Sequence, residues 1–234
     1  MTRFLGGRRR LKAESWRRAG VGRSLGASAM AVALLAGCSS GNGEPPAPEP
    51  TAAAEVCGGF AREPETTAAL KSVTGADQFD EGLSIPEKAL AGLRDGIRVG
   101  QEDPTRPQGY AYCWLLNDPA PSGERYFKVD VRGVSGAPGR DARLAYKTTW
   151  YSSGVQALAG GGQGTVYFTC QVKPPAKGII IETVALVADG VDNASLRRRT
   201  QLITLANAAA RQISKELGCV DDKLAPGVPS PVKV

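Results

Sequence analysis

Between residues 110 and 187 the pattern changes to that of strands, with apolar and polar positions alternating with a period of two where one face stays wet. The clearest run is 126–132, where Phe127, Val129 and Val131 interleave with Lys128, Asp130 and Arg132. Four further runs, 110–116, 143–151, 165–172 and 178–187, are rich in aromatic and β-branched residues. Turn-formers separate them at 119–123, 133–139, 160–164 and Pro174-Pro175. Five antiparallel strands joined in hairpin order are the economical arrangement. Within 165–172, Val166, Phe168, Cys170 and Val172 share a face, so Cys170 is expected to point inward.

On either side of the strands the period lengthens to that of a helix. Over 63–73, Ala68, Ala69, Leu70 and Val73 fall at helical spacing, Pro64 suits a first turn, and Gly75 ends the run. Over 86–97 the same signature returns, with Ser84 as a cap candidate and Leu90, Leu93 and Ile97 along one face. The longest run is 192–217. Asp192 or Asn193 would cap it, Leu196, Ile203, Ala206, Ala210, Ile213 and Leu217 form its stripe, and Gly218 stops it. The expected class is α+β: an antiparallel meander sheet of about five strands, packed by a long C-terminal helix and two N-terminal helices.

The first 56 residues follow neither period. A basic segment to Arg23 precedes a run of about 13 small and apolar residues ending at Gly37, then Cys38. That run is short of the roughly 20 residues a membrane-crossing helix needs. Leu35-Ala36-Gly37-Cys38 resembles the bacterial lipobox, in which cleavage precedes the cysteine and its thiol carries diacylglycerol. The resemblance implies an acylated Cys38 as the new N-terminus, and a membrane partner reached through its acyl chains. Each methylene buried in lipid contributes about 0.8 kcal/mol, so two or more chains hold a protein without a transmembrane helix. The leader also explains the net charge of +6: eight of its residues are basic and one is acidic, leaving 21 basic against 22 acidic beyond it. A near-neutral mature chain is a poor fit to nucleic acid. The expected organisation is a lipoprotein signal peptide at 1–37 and an acylated Cys38 with a disordered Pro/Ala-rich tether to residue 56. A single domain at 57–219 and a disordered tail at 220–234 follow. A tether of this length extends to ~60 Å at most.

Setting Cys38 aside leaves Cys57, Cys113, Cys170 and Cys219, an even number in a chain read as exported, so two disulfides are expected. Three pairings are possible. Cys57 with Cys113 and Cys170 with Cys219 is favoured, because each then links a helix end to a strand.

Histidine is absent from the chain, which removes Ser-His-Asp triads, Cys-His pairs and His-ligated metal sites. No catalytic residue, cofactor or metal set is assigned. The glycine-rich run 159–165 lacks the Gly-Lys-Ser/Thr of a phosphate loop and leads into a strand, so it reads as a hairpin loop. Glu182, flanked on its face by Ile180 and Val184, is expected to be partly buried with a partner such as Arg143. Arg197, Arg198 and Arg199 fan around the start of the last helix and read as a solvated face. Tyr110, Tyr112 and Trp114 alternate along one run, as Tyr146, Thr148 and Trp150 do along another. Such aromatic walls serve as core, or as a platform for a sugar ring.

The lipobox, the Pro-rich tether, Cys57-Gly58-Gly59-Phe60 opening a helix, Cys113-Trp114 on a strand and two later cysteines together resemble the small exported lipoproteins of unknown function common in actinobacteria. That resemblance implies a non-enzymatic envelope role on the extracytoplasmic face of the cell membrane. The leading expectation is a lipid-anchored module binding an envelope protein, glycan or lipid. An extracytoplasmic hydrolase working through carboxylates and a structural accessory of an envelope complex are the alternatives. Replacing Cys38 by Ala is expected to abolish acylation and move the protein from the membrane to the soluble fraction. Fractionation with intact-mass measurement checks this, and unchanged membrane retention would refute the anchor.

Overall fold

The computed structural model describes residues 49–99, 109–116, 126–140, 147–172, 178–188 and 195–233. In chain order they form β1 (Thr51–Ala52), an irregular turn α1 (Val56–Gly59), α2 (Pro64–Thr74), β2 (Gln78–Phe79) and α3 (Pro86–Val99). Then come β3 (Tyr110–Leu116), β4 (Tyr126–Val134), β5 (Thr149–Ser152), β6 (Gln156–Gly160), β7 (Gln163–Cys170), β8 (Ile179–Ala188), α4 (Leu196–Leu217) and β9 (Ser230–Val232). The class is α+β with a long C-terminal helix, as the periodicities imply. The sheet is larger than the five strands expected: seven antiparallel strands in the order β3-β4-β8-β7-β6-β5-β9, beside a two-stranded ribbon β1-β2.

The order departs from a simple meander. Strands β5 to β8 run as successive hairpins, but β8 returns to pair with β4 over nine residues, from Tyr126↔Ala188 to Val134↔Ile180. The strand with the longest β-branched run thus lies inside the sheet, where both neighbours cover its backbone groups. Strand β6 escaped the pattern because its residues, Gln156-Ala157-Leu158-Ala159-Gly160, carry one large apolar side chain. The run expected as a strand at 143–151 is a strand only over Thr149–Ser152; its positions 143–146 lie outside the described residues.

One sheet face is closed by helices. Helix α4 lies against β6, β7, β8 and α2, while α3 lies against β3 and β4. Leu202, Ile203, Leu205, Ala206, Ala209, Ala210 and Ile213 of α4 are buried against Val166, Phe168, Ile181 and Ala185 of the sheet. Each Leu or Ile so buried contributes about 1.5–3 kcal/mol. Leu196, expected on this stripe, is exposed. The helix approaches closely because β7 carries Gly164. A Cβ there would meet the Leu202 carbonyl oxygen at 2.5 Å, so any larger residue would lift α4 off the sheet. The expected caps Asp192 and Asn193 lie outside the described residues; Ser195 caps α4, its Oγ accepting from Arg198 N at 3.2 Å.

Both disulfides take the favoured pairing. Cys57–Cys113 joins α1 to β3 with Cα atoms 5.5 Å apart, and Cys170–Cys219 joins the end of β7 to the residue after Gly218 with Cα atoms 4.8 Å apart. Loops of this length correspond to about 4 kcal/mol each in the chain-entropy account.

Two boundaries differ from the sequence reading. The folded part begins before Cys57: Thr51 pairs with Phe79, and Ala53 and Val56 are buried. Of the segment 220–234, expected as a disordered tail, the described residues 220–233 are strapped to the domain. Val220 bridges Gln171, Leu224 packs on the core, and β9 pairs with β5 through residue 232. Buried Asn207 in mid-α4 accounts for this: its Nδ2 donates to the Ala225 and Gly227 carbonyls at 2.9 Å each, and Ser153 Oγ donates to its Oδ1 at 2.6 Å. Low hydrophobicity misleads here because polar contacts from α4 and pairing with β5 add to the modest apolar burial at Leu224. Pro231 is tolerated because β9 is an edge strand, where a missing N–H costs no ladder bond.

Thr183 points into the core from β8, fully buried, and its Oγ1 has no hydrogen-bond partner among the described residues. Thr183→Val keeps the shape and removes the stranded hydroxyl. It is expected to raise stability by about 1 kcal/mol, or about 2–4 °C in Tm, as read by thermal unfolding; a fall in Tm would count against this reading of the core.

Candidate functional site

Glu182, the carboxylate singled out by its apolar neighbours, is buried on the sheet face away from α4. Register explains its partners. Arg132 of β4 and Tyr167 of β7 stand directly opposite it on either side. Arg132 Nε donates to Oε2 and Tyr167 Oη donates to Oε1. The suggested partner Arg143 lies outside the described residues, and Arg132 fills the role. Burial, then the bond to Glu182, pushes the Tyr167 phenol far above its ordinary value. Both carboxylate oxygens are engaged, so this row is a cross-strand brace in which each member satisfies the next.

The aromatic wall of β3 is divided between two faces. The β3–β4 register shifts between Ala111 and Cys113, a bulge with Tyr112 as the extra residue. Tyr112 and Cys113 are therefore both buried, and Trp114 falls on the opposite face from the α3-packed Tyr110. Tyr112 Oη donates to the Cys57 carbonyl at 3.4 Å. On the outer face Trp114 packs against Tyr126, ring centroids 5.6 Å apart, with Lys128 Nζ 5.2 Å above the indole. Lys128 also pairs with Asp130 at 2.7 Å. Burial pushes the Asp130 carboxyl up, and Lys128 opposes that shift. Of the second wall, Tyr146 lies outside the described residues and Trp150 is buried beneath the Arg140 guanidinium, 5.3 Å from the ring.

The glycine-rich run is a tight hairpin turning at Gly161-Gly162 between β6 and β7. Within the arginine triplet, Arg197 is exposed, whereas Arg198 reaches across to the Val73 carbonyl at 3.1 Å and ties α4 to α2. Cys38 lies outside the described residues.

A cleft of about 700 Å3 opens where the start of α2 meets the last turns of α4. Three stretches far apart in sequence build it: 59–64, the face of α4 from Ala208 to Lys215, and the strapped segment with Cys219, Asp222 and Leu224. Cys57, Gly58 and Gly59 have φ of 49°, 77° and 78°, a left-handed run that the Cys57–Cys113 bond and the Cys57 N–H donation to Glu81 hold in place. This turn sends Phe60 into the core, its ring stacked 6.1 Å from Phe127, and carries Arg62 and Glu63 into the cleft.

The acids of the cleft are already engaged. Arg211 grips Glu63 in a fork, Nη1 to Oε2 at 2.8 Å and Nη2 to Oε1 at 2.5 Å, across 148 residues of sequence. The fork holds the Glu63 carboxyl below its ordinary value despite some opposing burial, and raises Arg211 in turn. Asp222 accepts from Ser214 Oγ and from Leu224 N at 3.1 Å. Sequence reading missed all of these residues. Each is an ordinary surface charge in its own stretch, and no local spacing announces a pair that only tertiary structure brings together.

Comparison with protein-family models, with curated proteins and with solved structures gives no significant match. The functional reading therefore rests on the residues themselves.

The Glu63–Arg211 fork makes a signed prediction. A carboxyl held low in the folded state adds stability above its unfolded pKa, and that stability is lost as pH falls through the folded value. The native Tm is expected to exceed that of Glu63→Gln at about pH 6, with the gap narrowing as pH falls below the ordinary carboxylate value. A gap that stays constant over this range in a thermal-unfolding series would show that the fork contributes nothing.

Proposed function

We propose that this chain is a lipid-anchored, extracytoplasmic binding module, held on the membrane through acylated Cys38, that receives a small ligand in the cleft between α2 and α4. The lipobox-like Leu35-Ala36-Gly37-Cys38, the short apolar run before it and the Pro-rich segment after it support the anchor. Two disulfides support an oxidising compartment. Among the described residues, no helix is long and apolar enough to cross a membrane, so the anchor would carry the attachment.

The observation that carries the binding reading is the cleft. Its volume of about 700 Å3 lies in the range of small-molecule sites, and its lining combines apolar surface from Phe60, Ala208 and Leu224 with convergent polar groups. Those groups hold one another. Glu63 is kept ionised by Arg211 and has no proton to give near neutral pH, and both Asp222 oxygens accept hydrogen bonds. An acid–base hydrolase needs one carboxyl poised to donate, so this arrangement favours holding a ligand over cleaving one.

The experiment is affinity capture of the full lipidated chain from membranes, compared with a Gln212→Trp variant that fills the cleft from a partly exposed position of α4. A small molecule recovered with the native chain and absent from the variant is the expected result. Equal recovery from both, or none from either, would remove the cleft as the functional site.

A further inference from the structure

Five charged side chains line the cleft: Arg62, Arg211 and Lys215 against Glu63 and Asp222. They are not equivalent. Glu63 and Arg211 neutralise each other through two hydrogen bonds, and Asp222 is committed to Ser214 and the Leu224 amide. Among the described residues, Arg62 and Lys215 have neither an ion-pair partner nor a side-chain hydrogen bond. Both are exposed at the cleft. Two cations therefore face a cavity whose acids are spoken for.

Arg62 is also placed there by the backbone. Its Nη2 lies 2.6 Å from the point a Cβ on Gly59 would occupy, and Gly59 itself has φ of 78°. The guanidinium folds back over residue 59 because that residue has no side chain, and the left-handed turn that allows it is pinned by the Cys57–Cys113 bond. A donor fork held over bare backbone at a cavity mouth is pre-organised for planar oxyanions, and the ammonium of Lys215, which lines the same cleft, adds a mobile point charge. Behind the charges, Phe60, Ala208 and Leu224 offer an apolar floor.

We infer that the cleft selects a ligand bearing an oxyanion, phosphoryl or carboxylate, on a short stem, with the oxyanion gripped by Arg62 and Lys215 and the stem laid on Phe60, Ala208 and Leu224. This rests on the reading of the cleft as a binding site and names the ligand chemistry. The oxyanion has two sources in an envelope, a soluble metabolite or the headgroup of an anionic phospholipid.

The test uses the full chain carrying Cys38→Ala, so that the acyl anchor does not report. Isothermal titration compares glycerol 3-phosphate and glycerate with uncharged glycerol, and co-sedimentation compares phosphatidylglycerol with phosphatidylcholine vesicles. The charged probes are expected to bind and glycerol is not. Arg62→Gln and Lys215→Gln should each weaken binding about tenfold to a hundredfold, the range for losing one charge-assisted hydrogen bond. Lys88→Gln, an exposed cation on α3 away from the cleft, should leave it unchanged. Because Arg62 and Lys215 are exposed, both variants are expected to fold, with unaltered Tm as the control. Binding of a soluble probe with this dependence assigns the site to a free metabolite; the same dependence with phosphatidylglycerol vesicles alone assigns it to a headgroup. Glycerol binding as well as its phosphate, equal weakening by Lys88→Gln, or no binding of any anionic probe would each overturn the inference. The last outcome, combined with a neutral ligand that the native chain captures and Gln212→Trp loses, would leave the binding-module reading standing without it.

Discussion

The close seat of α4 on the sheet is the constraint on which the other features depend. Gly164 lets the helix backbone come within reach of β7, and the buried stripe from Leu202 to Ile213 then meets Val166, Phe168 and Ile181. Once α4 is down, its polar positions become structural. Arg198 reaches α2, Asn207 collects the carbonyls of the following segment, and Arg211 finds Glu63. The cleft is the space left where this helix, the start of α2 and the strapped segment fail to close on one another.

The disulfides act at the two places where secondary structure is weakest. Cys57 sits in a left-handed run that no helix or strand stabilises, and its bond to β3 fixes that run against the sheet. Cys219 follows the last turn of α4, where the chain would otherwise fray, and its bond to Cys170 keeps the following segment near β7 and β5. Both staples border the cleft, through Gly59 on one side and Cys219 on the other. Stapling therefore does more than offset chain entropy, because it sets the positions of two of the cleft's walls.

The outer sheet face shows how a buried carboxylate is satisfied by its cross-strand neighbours. Glu182 lies between Arg132 and Tyr167 because three antiparallel strands place those positions in one row. With one donor on each oxygen the carboxylate is satisfied where it stands, and the row braces β4, β8 and β7 on the side that α4 does not cover.

Hydrophobic periodicity alone marked α2, α3, α4 and the strands β3, β4, β7 and β8, the α+β class and the inward-facing Cys170, because those depend on contrasts between neighbouring residues. Runs 110–116 and 126–132 became β3 and β4 with little change, and Pro64 and Pro86 marked the first turns of α2 and α3. Strand order, the bulge at Tyr112, the β6 strand and the ordering of 220–233 were decided by tertiary structure. Each turns on partners distant in sequence, whose own residues look unremarkable where they stand. The cleft belongs to the same group: Glu63 and Arg211 are separated by 148 residues, and a charge pair formed by folding leaves no periodic trace in either stretch.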